Sequence, residues 1–441
     1  MKKIVFASLL GLAACAPATD ATSPAEQVFN QVSELMQQQY YGFSLPQLPS
    51  VLSQGKINLQ KACLSLGSAC SFEIARPVVA AILEELQDPH TFLENPAQFA
   101  ESQRARSGQG GSFPILGIRS IYRESGRLIT ESLPGMAAES VGLTRGDLIQ
   151  SLNGKLLPKG DEASGLALRE LVRSGQEFSL GVSRAGKTRE VKVTGKLAIV
   201  PALPSLKSWV GLPSSIALLR IPDYLPPQVA DLSHKLINQA IKNGAKSLIL
   251  DLRGNSGGAA TNCISVAGAF MGRTGVIFSS KSGRNQYTYE NGIVSTSTGG
   301  RVGISEVANF TGNVAVLTDK NSASCAEITP ALLQTAKRAA VIGEPTYGIL
   351  NTGTLAFPLQ DGSGLTITTV RTLDLNGVAL PARVTPNFAQ SEDYDALETN
   401  ARDIMLEKAI RVVQGLDTSL EKTEIQIQAR PSLLELQTNW N

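Results

Sequence analysis

Ser324 has the residue type and position best suited to chemistry in this chain. It lies in the stretch NSASCAE (residues 321–327), where an apolar helical run begins, and a GEPTYG turn (343–348) follows that run. A serine at a helix N-terminus has two uses. With Glu327 three residues on, Ser324 has the spacing of a capping box, which would only start the helix. It also suits a nucleophile, because the helix dipole and the free N–H groups of the first turn stabilise an oxyanion formed beside it. A second chemical stretch is DLRGNSGG (251–258), where an apolar run ends in a turn with three glycines. Glycines there let backbone N–H groups point into a cleft, as an oxyanion hole requires, and one such donor is worth about 3 kcal/mol of barrier. No Gly-Lys-Ser/Thr follows, which argues against a phosphate loop. The chain has two histidines, His90 and His234. His234 falls among polar neighbours in a helical stretch and reads as a surface residue. No Cys/His spacing suggests zinc, so neither metal nor cofactor is expected.

These residues need elements to hold them, and the chain is long enough to supply several. At ~100–200 residues per domain, 441 residues imply two to four domains. Charge is balanced, 40 Lys+Arg against 38 Asp+Glu, so no basic face for nucleic acid is expected. Lys2 and Lys3 precede an apolar run that ends in Leu12-Ala13-Ala14-Cys15, the pattern of a bacterial lipoprotein signal (1–14) with Cys15 as the lipid-bearing residue. A tether (15–24) and a helical domain (25–101) follow, and the latter ends in Asp88-Pro89-His90-Thr91. An extracytoplasmic, oxidising compartment makes a local disulfide between Cys63 and Cys70 plausible. Cys263 and Cys325 are either paired or simply buried. Short alternating strands mark a β-rich domain (105–198), and alternating strands and helices mark an α/β domain (203–395), before a helical tail (396–441). Within the α/β domain, residues 216–221, 246–250, 314–318, 339–342 and 365–370 read as strands and 229–242 as a helix.

The segment LPGMAAESVGLTRGDLIQSLNG (133–154) resembles a PDZ domain. That resemblance implies a sheet edge beside the 163–173 helix, taking an extended chain end, with N–H groups near Ile115, Leu116, Gly117 and Ile118 capturing its carboxylate. DLRGNSGG, SCAE and GEPTYG together, in this order, resemble the C-terminal processing (tail-specific) serine peptidases and their tricorn-like and retinoid-binding-protein-like relatives. The resemblance implies a multidomain α/β protein: a ClpP/crotonase-like core, an inserted PDZ domain and a helical N-terminal region. It makes Ser324 the nucleophile, with the N–H of Cys325 and that of Gly257 or Gly258 as oxyanion donors. Ile349 stands where one branch has its lysine base, and Gly353 where that branch has glutamine. The tricorn-like branch uses a histidine instead, which points to His90, with Asp88, Asn351 or Asp361 as orienting partner. The implied protein is a lipid-anchored, envelope-located endopeptidase whose partners are proteins or peptides with exposed C-terminal tails. The alternative is an inactive homologue that binds peptides through its PDZ domain.

Overall fold

The computed structural model describes residues 22–109, 114–197, 202–417 and 432–433. The leader, Cys15 and most of the tether lie outside the described residues. No helix among the described residues is long and apolar enough to cross a membrane.

The chain begins with helices whose apolar stripes face one another. Ser23 caps the helix Pro24–Gln39, which packs with Leu48–Cys63 and Phe72–Glu85 around Val28, Val32, Leu52, Leu59, Val79 and Ile82. Cys63 and Cys70 are disulfide-bonded across the turn between the second and third helices. This cluster is not closed on itself. Leu359, Leu365 and Ile367, from the far end of the chain, complete it.

Residues 216–220, 247–251, 313–318 and 340–343 form adjacent parallel strands of a six-stranded sheet. Ser205–Lys207 pairs antiparallel at one edge and Phe388–Ala389 parallel at the other. Leu248, Leu250, Val314 and Val316 belong to a cluster with the helices Val229–Lys242, Ala260–Met271 and Cys325–Thr335, while Ile249, Ala315 and Leu317 meet the helix Ile404–Val413. Both faces are covered, which is why these strands read as unbroken apolar runs.

A second, seven-stranded sheet is antiparallel, built on Gly364–Leu373, Arg273–Ser280 and Gly283–Glu290. Phe92–Glu94 joins its edge by pairing with Gly364–Leu373, Phe92 opposite Thr366. That pairing fastens the end of the N-terminal helical region to the α/β unit. The β-rich unit is a six-stranded sheet with Ile118–Arg123 at its edge, a core of Leu116, Ile129, Ile149, Leu168 and Leu180, and the helix Asp161–Arg173 beside it.

The seam between the β-rich and α/β units is ionic and largely buried. Arg145 reaches Glu392 (2.6 Å) and Asp403 (2.9 Å), and Arg253 reaches Asp251 (2.7 Å), Glu392 (2.8 Å) and Asp403 (2.9 Å). Arg220 holds Glu131 with two bonds of 2.6 Å, and Arg119 donates to the carbonyl of Gly254.

Among the described residues the tail region holds the helices Tyr394–Asn400 and Ile404–Val413, parted where Ala401 is left-handed (φ 53°) and Asp403 caps the second through Leu406 N–H. One expectation changes. His234 is not on the surface. It is fully buried with Ser233 and Ile237 on one face of its helix, its Nε2 3.0 Å from the Ser265 carbonyl and its Nδ1 accepting the Ala308 N–H at 3.0 Å. Its ring also stacks on Tyr289.

Candidate active site

Ser324 stands between the strand Asn313–Thr318 and the helix it caps, and its backbone is left-handed, φ 53° and ψ −115°. Such a conformation costs a serine about 1–3 kcal/mol and persists only where the surroundings enforce it. Glu327 supplies much of that enforcement. Its buried carboxylate accepts the N–H of Ser324 (2.8 Å), Gly348 (2.9 Å) and Ile349 (3.0 Å) and the hydroxyl of Thr346 (2.6 Å). Burial pushes its pKa up to about 7 against these four donors, which favour the charged form. The GEPTYG turn is thereby tied to the first turn of the serine's helix. Sequence reading saw Glu327 only as a cap.

The glycine loop is pressed against this turn. The Asn255 side chain donates to the Ile221 carbonyl (2.9 Å), its main-chain carbonyl accepts Ala323 N–H (2.9 Å), and its Oδ1 accepts Gly257 N–H (2.8 Å). A Cβ on Gly257 would lie 2.7 Å from Ser324 Cβ and 2.8 Å from the Ala323 carbonyl oxygen; one on Gly258 would lie 2.2 Å from the Tyr224 carbonyl carbon. Both glycines have positive φ, 100° and 144°. With the Gly257 N–H committed to Asn255, the N–H groups of Gly258 and Cys325 are the pair beside Ser324 without a bond to another described residue. Cys325 is disulfide-bonded to Cys263, which fixes the start of this helix to the helix Ala260–Met271.

His90 and Ser324 line one cleft of about 800 Å³, together with Ser256, Gly258, Cys325 and Thr352. His90 reaches it because its loop is stitched to the α/β unit. Asp88 accepts the His90 backbone N–H (3.1 Å) and the Thr91 hydroxyl (3.1 Å), and Thr91 bonds Thr368 through its hydroxyl (3.2 Å) and by accepting its N–H (3.0 Å). The ring is 2 % exposed, and burial drops its pKa to about 4, with Asp88 opposing. It is therefore neutral near pH 7. Its Nδ1 lies 2.9 Å from Thr352 Oγ1. Among the described bonds none of the three orienting candidates reaches the ring: Asp88 bonds the loop backbone and Thr91, Asp361 is held by Arg76 (2.9 Å), and Asn351 contributes its carbonyl to Thr372. Thr352, one residue past Asn351, went unnoticed because a threonine carries no charge or motif to mark it.

Ile349 is buried against Ala323 and Tyr347, so an apolar side chain fills the position of the lysine. In the β-rich unit, Ile115 pairs with Lys196, the carbonyls of Leu116 and Gly117 accept from Ala138 and Leu133, and Ile118 opens the edge strand. Among the described residues no group of His, Cys, Asp and Glu could hold a metal ion.

Residues 215–389 match the model of peptidase family S41. The chain is 27% identical over 310 residues to the chloroplastic carboxyl-terminal-processing peptidase 2 of Arabidopsis thaliana, covering 66% of this chain and 56% of that protein. It is 23% identical over 314 residues to a protein of Staphylococcus aureus named as a CtpA-like serine protease, covering 70% and 58%. The chain thus spans less than two thirds of the length of these curated relatives. A solved structure from Bacteroides fragilis, described as an S41 protease candidate, superposes with a TM-score of 0.55 at 15% identity, covering 88% of this chain and 98% of that one. At that identity the likeness is one of fold.

Proposed function

We propose, from the match of residues 215–389 to the model of peptidase family S41, that the protein is a serine endopeptidase of the tail-specific class. It would cleave unfolded or C-terminally exposed protein segments. The observation that carries this reading is the single cleft lined by Ser324, His90, Gly258 and Cys325. His90 Nε2 would take the Ser324 hydroxyl proton as Oγ bonds the scissile carbonyl carbon, and the displaced C=O electron pair would settle on an oxygen held by the two amides. The protonated His90 would then give its proton to the leaving amine as the C–N bond breaks. Water, deprotonated by the same ring, would release the acyl group from Ser324.

In the same reading the core is ClpP/crotonase-like and the β-rich unit is a PDZ domain that takes a chain end along the edge strand Ile118–Arg123, beside the helix Asp161–Arg173. The leader and Cys15 favour a lipid-anchored protein outside the cytoplasm, and the two disulfides fit an oxidising compartment. A fluorophosphonate probe tests the core claim. Wild-type protein should label and Ser324→Ala should not, and His90→Ala should lose about 100-fold or more of the labelling rate. Failure of folded wild-type protein to label would overturn the proposal. Equal labelling of His90→Ala would remove the histidine from it.

A further inference from the structure

Resting on that reading of the cleft, we propose that Thr352 is the positioning residue of the His90 base. Its hydroxyl oxygen accepts the Nδ1 proton, so that the Nε2 lone pair is left for Ser324. Thr352 Oγ1 has two neighbours, His90 Nδ1 at 2.9 Å and the Ile349 carbonyl at a longer 3.4 Å. A carbonyl can only accept, so the hydroxyl proton turned toward Ile349 leaves the oxygen's lone pairs for Nδ1–H. The opposite arrangement, with the hydroxyl donating to Nδ1, forfeits the bond to Ile349. It also places the ring proton on Nε2, which has no partner among the described residues. The favoured arrangement keeps both bonds, and it serves again once Nε2 is protonated, because Nδ1–H still has an acceptor. Thr352 is itself buried at the start of the strand Thr352–Pro358, so water does not substitute freely for it.

The segment around Thr352 also explains why the residue is in place. Ile349, two residues past Tyr347, is held through its N–H by Glu327, the carboxylate that also holds the Ser324 N–H. Glu327 thus fixes the nucleophile's backbone at one end and the acceptor of the Thr352 hydroxyl at the other. A threonine supplies an oriented oxygen without a charge.

The two histidines make the test direct, because their environments demand opposite tautomers. His234 accepts at Nδ1 from the Ala308 N–H and donates from Nε2 to the Ser265 carbonyl, so it serves as an internal standard. Nitrogen NMR of histidine-labelled full-length protein, assigned with His90→Ala, should show His234 protonated on Nε2 and His90 on Nδ1. Thr352→Val should move His90 toward the Nε2–H form and slow hydrolysis of fluorescein-casein about 10–100-fold, with KM within about threefold. Thr352→Ser should restore both, and the unchanged His234 signal reports that each variant is folded. An Nε2–H signal for wild-type His90 would overturn the proposal, as would a Thr352→Val protein with unaltered tautomer and rate. Full activity in His90→Ala would instead strike the base assignment, leaving the tautomer result to stand or fall by itself.

Discussion

At the scale of the residue, the site depends on groups kept in the protonation states that burial selects. Glu327 is the clearest case, since its folded pKa of about 7 lies above the ordinary carboxylate value. Its protonated form is therefore favoured by folding. Its contribution to stability is fully present below about pH 4.5 and is lost as pH rises through 7, a difference of roughly 3 kcal/mol for a fully buried group. The melting temperature of wild type relative to Glu327→Gln should fall between pH 4.5 and 7.5, which thermal denaturation across that range checks. Activity carries the opposite sign, because the charged carboxylate is the form that holds the Ser324, Gly348 and Ile349 amides. The pH profile of casein hydrolysis should show an inflection near 7 that Glu327→Gln removes. A second, near 4, is set by His90, whose pKa burial lowers and Asp88 partly restores.

At the scale of the element, two strand ends and one helix start meet without room for a side chain. Gly257→Ala would thrust a Cβ against Ser324 Cβ and the Ala323 carbonyl while adopting a φ that alanine resists. The loop must then shift, and the fluorophosphonate labelling rate should fall about 100-fold, while stability falls by only about 1–3 kcal/mol in a denaturant titration. The elements that carry this site were the legible ones. Leu248-Ile249-Leu250 and Val314-Ala315-Val316 announce parallel strands because both their faces are covered, and the glycines of DLRGNSGG and Ser324 stand directly at their ends. The antiparallel sheet was mostly missed. Its strands Arg273–Ser280 and Gly283–Glu290 mix threonine, tyrosine and charge with no steady alternation; they pair with each other, and only the first of them also pairs with the distant strand Gly364–Leu373. His234 was misread because its sequence neighbours are polar, whereas its helical neighbours Ala230 and Ile237 are buried beside it. Thr352 could not be found at all. What makes it important is a histidine from another unit of the chain.

At the scale of the whole molecule, the three units are joined by a pairing of strands on one side and by buried charge on the other. Arg145 is the β-rich unit's contact with Glu392 and Asp403, and Arg253 is left as their remaining cation when it is removed. Arg145→Met should cost about 3 kcal/mol and open a separate, lower-temperature transition in calorimetry, as breaking a buried ion pair exposes the domain seam. The strand pairing on the other side has a consequence in time. His90 and Thr352 are 262 residues apart. At a ribosome's ~5–20 residues per second, the histidine is made about 13–50 s before the threonine that seats it, and Ser324 also emerges before that seat exists. A growing chain of this protein therefore holds its histidine without that seat for 262 residues of synthesis, and its serine for the last 28 of them. If the proposed triad is right, the site is complete only once the last strands of the second sheet have closed, and a nascent chain should not label with the fluorophosphonate before then.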